Sequence, residues 1–243
     1  MKKVTHIFLV IILACPMITV GQVNNFSFLS FDFGANNTWI LNQNMYGNPE
    51  LNYNLKFGFS GGASYKYFAN KFGYSVGLGL GSFGQRYSGN MVGADAKLRI
   101  NLMYLELPVL GMYKLGGNKQ QTWISFGPKL MYLLSAQQYF QRDNGQLIPE
   151  PEMLNPGSTD VINRFNNIDI MLAFEVTHIY AHSFTNVRPF KSDQKTMWML
   201  SLKSGIGLTD INSPEFRVSR TRNLYAGSHN FYLGVNIGFM FNR

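Results

Sequence analysis

The chain has 243 residues, of which 15% are aromatic and only 14% charged; the length suits one all-β domain, and the charge is sparse for a surface that faces water throughout. Its formal net charge of +8 comes without a run of five or six like charges, so the basic excess does not describe a nucleic-acid-binding patch. After the first 21 residues no apolar run reaches the roughly 18 residues a spanning helix requires, which excludes the helical-membrane class.

Residues 1–21 read as an export signal. Lys2 and Lys3 form the charged start, IFLVIILAC over 7–15 the apolar stretch, and Thr19, Val20 and Gly21 precede a cut at Gln22. The mature domain is then 22–243. Leu13-Ala14-Cys15 resembles part of a lipobox, with Leu13 where a small residue is usual. Cleavage after Gly21 removes the sole cysteine, so no disulfide framework is expected. It also leaves 19 basic against 13 acidic residues.

From there the chain alternates. A strand sends successive side chains to opposite faces. Residues 28–35 put Leu29, Phe31 and Phe33 on one face and Ser30, Asp32 and Gly34 on the other. In 55–67, Phe57, Phe59, Ala63 and Tyr65 oppose Lys56, Gly58, Ser60 and Lys66, and in 72–84, Tyr74, Val76, Leu78 and Leu80 oppose a column of Gly73, Gly77, Gly79 and Gly81. Such a glycine column implies crowding or sharp curvature on that face. Residues 101–115 oppose Met103, Leu105, Leu107 and Val109 to Tyr104, Glu106, Pro108 and Met112. Residues 122–137 oppose Ile124, Phe126, Leu130, Tyr132 and Leu134 to Trp123, Ser125, Gly127, Lys129 and Ser135. In 166–179, Ile170, Leu172 and Phe174 oppose Asp169, Ala173 and Glu175, and in 196–208, Trp198, Leu200 and Leu202 oppose Met199, Ser201 and Lys203. The last strand, FYLGVNIGFMF at 231–241, alternates without a break.

Eight such strands with large apolar outer faces predict an all-β fold: an eight-stranded antiparallel up-and-down transmembrane β-barrel. Lipid offers no hydrogen bonds, so each backbone group at a sheet edge must find another strand, and closure provides it. An open sheet with these faces would aggregate in water. Connections alternate short and long as in outer-membrane barrels: 68–71 and 116–121 are short, whereas 40–54, 85–100, 138–165 and 209–229 are long. The connection 180–195 is too long for a tight turn on the periplasmic side. Tyr65, Tyr67, Tyr74, Tyr113, Trp198 and Phe241 stand where interfacial rings settle.

Parity points Asp32, Lys56, Lys66, Glu106, Lys129, Asp169, Glu175 and Lys203 into the lumen, four acids with four bases. Eight strands enclose about enough room for side chains alone, so these charges are expected to pair into a structural plug, since an unpaired buried charge is costly. A proton path or small-ligand site is the alternative. Pro108 and Pro128 each remove a ladder donor, so a bulge or an edge of pairing is expected near both. His178 and His182 have a helical metal spacing but fall at a strand end and its loop, and Glu175 points away from His178 and Ser183. The GLGLG run at 77–81 has no helix after it to bind phosphate. No metal, no cofactor and no catalytic residue is expected. The long 138–165 connection suits recognition, and Arg217, Arg220 and Arg222 suit contacts to lipid phosphate at the outer rim.

Three segments, YLELPVL at 104–110, GPKLMYLLSA at 127–136 and GIGLTDIN at 205–212, resemble the hallmark segments of the PorT-like outer-membrane β-barrel family. That resemblance implies an eight-stranded barrel in the outer membrane of a diderm bacterium of the Bacteroidota type. It implies a non-enzymatic role as an accessory or assembly component of type IX protein secretion. The alternative is a stand-alone barrel that binds ligands or surfaces through its outer loops, in adhesion or envelope integrity. Expected partners are outer-membrane lipid and an envelope or secretion-machine protein, with no nucleic acid.

Overall fold

A computed structural model describes residues 25–42, 52–91, 94–115, 122–142, 157–181, 196–217 and 226–242. Ten strands are present among them: β1 (Asn25–Leu41), β2 (Asn52–Asn54), β3 (Lys56–Ala69), β4 (Phe72–Met91), β5 (Ala94–Leu115), β6 (Thr122–Arg142), β7 (Gly157–Asp160), β8 (Ile168–Ala181), β9 (Thr196–Gly207) and β10 (His229–Asn242). Eight of these form a closed antiparallel ring, β1-β3-β4-β5-β6-β8-β9-β10, sealed by fourteen residue pairs between β1 and β10 from Phe28↔Asn242 to Leu41↔His229. β2 and β7 are short strands added at one end, on β4 and β6.

The ring is the predicted barrel, and its outward faces are the predicted ones. Phe31, Phe33, Phe57, Leu78, Val109, Phe126, Leu202 and Ile237 are exposed, while their strand neighbours point inward. On β5 the outward apolar positions run from Met103 to Tyr113. At about 3.4 Å per residue and a tilt near 40°, that covers roughly 25 Å, the height of the lipid-facing band in outer-membrane barrels. Aromatic rings gather at one margin of this band: Tyr67 with Tyr74 at 5.5 Å, Phe72 with Tyr113 at 5.1 Å and Trp198 with Phe239 at 3.8 Å between centroids. The same end carries the tight β3–β4 turn, where Asn70 takes a positive φ of 58°. Short turns mark the periplasmic end of such barrels.

Two expectations change at the opposite, outer end. Residues 85–100 are not a loop: β4 runs on to Met91 and β5 begins at Ala94, so a hairpin rises past the apolar band. Residues 94–102 extend about 20 Å above it by the same arithmetic. Ser135 points outward rather than in, because Met103 pairs with Ser135 and Tyr104 with Leu133, leaving Leu134 as a bulge that resets the parity of β6. The prolines interrupt pairing without a bulge. The β4–β5 ladder skips residues 77–78 opposite 107–108, and the β5–β6 ladder skips 109–110 opposite 127–128, with the register unchanged. The expected export segment 1–21 and residues 182–195 lie outside the described residues.

Candidate functional site

The lumen is stacked in three layers. Nearest the periplasmic end, Phe28, Phe68, Trp123, Met112, Met197, Met199 and Met240 converge as a buried apolar cluster. Phe68 and Phe28 lie 4.3 and 5.8 Å from the Trp123 ring. Methionine and aromatic side chains from facing strands can interlock across the axis of so narrow a tube.

The middle layer holds the charges. Lys129 donates to Glu106 at 3.1 Å and to the Tyr232 hydroxyl at 3.0 Å, and Lys203 donates to Asp32 at 2.7 Å with Glu175 at 3.7 Å. Asn236 donates a further bond to Asp32 at 2.7 Å. Small residues opposite make room for these long side chains: a Cβ on Gly81 would meet the Glu106 carboxylate and the Phe83 ring. The column of glycine in β4 thus answers the crowding that its composition implies. Beside the charges lies a cavity of about 40 Å³, lined by Lys66, Glu106, Glu175 and the glycines of β3 and β4. A water needs about 10–15 Å³ of such space, so the cavity takes a few waters and no larger solute.

All eight sequence-derived lumen charges face inward, but the structure joins only five of them in ion pairs. Lys56 instead donates to the Phe83 carbonyl at 2.7 Å, and Lys66 approaches the Met199 sulfur at 3.9 Å. Asp169 accepts from the Thr209 hydroxyl at 2.6 Å and the Asn230 amide at 2.9 Å. The expected four-by-four pairing is therefore replaced by a compact set of three acids and two lysines. Strand parity fixes the face on which a charge lies, whereas its height along the tube, set by register and tilt, decides what it reaches.

The outer layer is apolar and was not visible as such in the sequence. Ile100, Leu102, Tyr104, Leu133, Phe140, Val161, Phe165 and Ile211 form one buried cluster with Phe83. Phe83 meets Tyr104 and Tyr232 edge-on, each at 5.6 Å. Two connections fold over this cluster and interlock. Phe165 and Asn212 form a β-bridge, the Asn166 amide N–H donates to the Ile211 carbonyl at 2.7 Å, and Ser213 N–H donates to the Arg164 carbonyl at 2.9 Å. Asp210 organises the cap by accepting from the Asn212 and Ser228 amides at 3.1 and 3.0 Å. Arg217 pairs with this same carboxylate at 3.1 Å, so one of the three proposed rim arginines serves the cap; Arg220 and Arg222 lie outside the described residues. The GIGLTDIN segment is thus the outer end of the ascending β9 and the cap.

Elsewhere, His178 faces outward and its Nδ1 lies 2.9 Å from the Thr122 hydroxyl, while Glu175 lies on the opposite, inner face. His182 lies outside the described residues.

A closed ring of tilted strands, an apolar outer band and a lumen packed with side chains define a membrane-spanning β-barrel of the bacterial outer membrane. The chain belongs to the outer membrane protein beta-barrel domain family, whose model matches residues 22–213. Among solved structures it is similar to Neisserial surface protein A, at 11% identity over 87% of this chain and 95% of that one, with a TM-score of 0.39. It is also similar to OprG of Pseudomonas aeruginosa, at 13% identity over 90% and 95% with a TM-score of 0.36. Ail of Yersinia pestis, solved with the heparin analogue sucrose octasulfate, matches at 10% identity over 88% and 99% with a TM-score of 0.36. No curated protein matches.

Proposed function

We propose that this protein is a non-conducting, non-enzymatic barrel that works by binding at the cell exterior. The lumen layers stiffen the anchor and the outer sheet carries the recognition surface. The observation that carries this reading is the continuation of β4, β5 and β6 past the apolar band, with an apolar face packed into the cap and a polar face turned to water. A barrel made only to span needs strands no longer than the bilayer requires. Here roughly a third or more of each of three adjacent strands lies beyond it, a rigid support of the kind that positions binding surfaces.

Replacing residues 85–100 by a tight turn tests the reading in cells that lack the wild-type gene. The shortened protein should insert while adhesion to surfaces or envelope integrity falls to the level of the deletion. Unchanged adhesion and integrity would reject it. The finer reading as an accessory of type IX secretion is supported by the resemblance of the segments at 104–110, 127–136 and 205–212. That reading predicts loss of cargo secretion on deletion, with secretion retained by the shortened protein, because docking would use the periplasmic side, the 180–195 connection included.

A further inference from the structure

Above the apolar band, the outer wall of the barrel carries a cross-strand row of basic groups for which the fold gives no structural use. Arg86 on β4 stands directly opposite Arg99 on β5, and Arg99 stands opposite Tyr139 on β6. Both arginines are exposed, and the Arg99 guanidinium lies 5.5 Å from the Tyr139 ring centroid. Lys97, one step further up on the same face, is opposite Ser88 and Gln141.

Like charges placed directly opposite across a strand pair are destabilising, and nothing described nearby neutralises these. The salt bridges of Lys129, Lys203 and Arg217 lie elsewhere and involve none of these three groups. Asp95 lies on the same face at the hairpin tip, opposite Asn90, and Asp160 on β7 accepts from the Ile162 amide N–H at 2.9 Å.

Height and direction identify what would complete the row. Arg99 is four residues above Met103, the top of the apolar band, which places it about 10 Å above the hydrocarbon edge. Headgroup regions are roughly 5–8 Å thick on each side of a bilayer, and an arginine stem bends back far enough to reach them. The row continues the same wall as Leu105 and Val109, so it faces sideways over the membrane and not upward to the medium. We propose that Arg86, Arg99 and Lys97 form a binding site for the phosphate groups of outer-leaflet lipid headgroups. Two arginines can each grip a phosphate in bidentate fashion, and Tyr139 holds one of them in place.

The test uses the purified full barrel in uncharged detergent, titrated with lipid A carrying its phosphates and, separately, with dephosphorylated lipid A. Phosphorylated lipid should bind and raise the thermal midpoint, and the Arg86→Gln/Arg99→Gln double variant should bind it about thirtyfold more weakly, at about 1 kcal/mol for each of the two basic groups near an anionic surface. Without lipid, the double variant should be as stable as wild type or more so, because the repulsion between the two guanidinium groups is gone; this readout also shows that it folds. Equal binding of the dephosphorylated lipid, or undiminished binding by the double variant, would overturn the proposal. So would an equal stabilisation by inorganic phosphate at matched phosphate concentration, which would make this a general anion site.

Discussion

Lys203 is the cation on which the middle layer turns, because it holds Asp32 at 2.7 Å and Glu175 at 3.7 Å at once. Lys203→Met leaves two carboxylates facing each other with a single lysine, Lys66, alongside. Breaking a buried pair from one side costs about 3–5 kcal/mol, so the urea midpoint of the folded barrel in detergent should fall accordingly; a variant indistinguishable from wild type would show the cluster to be stabilised by water instead. The Glu106–Lys129 pair gives the complementary case. Glu106→Leu with Lys129→Met removes both partners and should cost much less than Lys129→Met alone, a coupling that a double-mutant cycle measures directly. The identity of these residues was legible in the sequence, since each sits at an inward parity position. Their partnerships were not: Asp169 and Glu175 differ by three turns of alternation on one strand, yet the first is held by Thr209 and Asn230 under the cap and the second by Lys203.

Along each element the alternation of side chains is continuous, but its hydropathy changes phase, and that is why the outer hairpin escaped the sequence. Within the band β5 shows Leu105, Leu107 and Val109 to lipid and Glu106 to the lumen; above it, Ala96, Leu98 and Ile100 face inward while Lys97, Arg99 and Asn101 face out. The reversal falls at Leu102–Met103, two apolar residues side by side, and β6 reverses at Leu133–Leu134, the site of its bulge. On β4, Phe83 is inward where Leu80 was outward, and Phe83 pairs with Leu102 in the same row. Outside the band is water and inside is a packed core, so the polar and apolar faces exchange at one height on all three strands. A reading that expects apolar residues outward loses the strand there, whereas adjacent apolar residues at matching heights are the signal that recovers it. The exchange also makes neighbouring positions unequal. Leu98→Asp places a charge in the outer cluster and should prevent stable folding, while Lys97→Asp, one residue away, should leave the unfolding free energy within about 0.5 kcal/mol of wild type. Phe165→Ala combined with Ile211→Ala should loosen the cap, exposing residues 161–167 and 208–213 to protease while the ring stays resistant to unfolding.

At the scale of the whole molecule, the three lumen layers act in series, and each closes the tube by a different means. The periplasmic layer does so with rings and methionines, the middle one with paired charges around a cavity of about 40 Å³, and the outer one with a core and an interlocked cap. An ion that crosses must pass an apolar layer, displace a salt bridge and then pass a second apolar layer, and a bare charge in either apolar layer is strongly disfavoured. The wild-type barrel in planar bilayers should therefore show no sustained conductance. Because the layers are in series, opening one of them should not suffice. Trp123→Ala with Phe68→Ala removes the largest rings of the periplasmic layer, and the cap double variant removes the outer seal, yet each alone should remain silent. Only their combination, with Lys203→Met to unlock the middle, should produce open channels. Sustained conductance from the wild-type protein would show that the stacked arrangement does not seal the lumen, and conductance from either double variant alone would show that a single layer was the whole barrier.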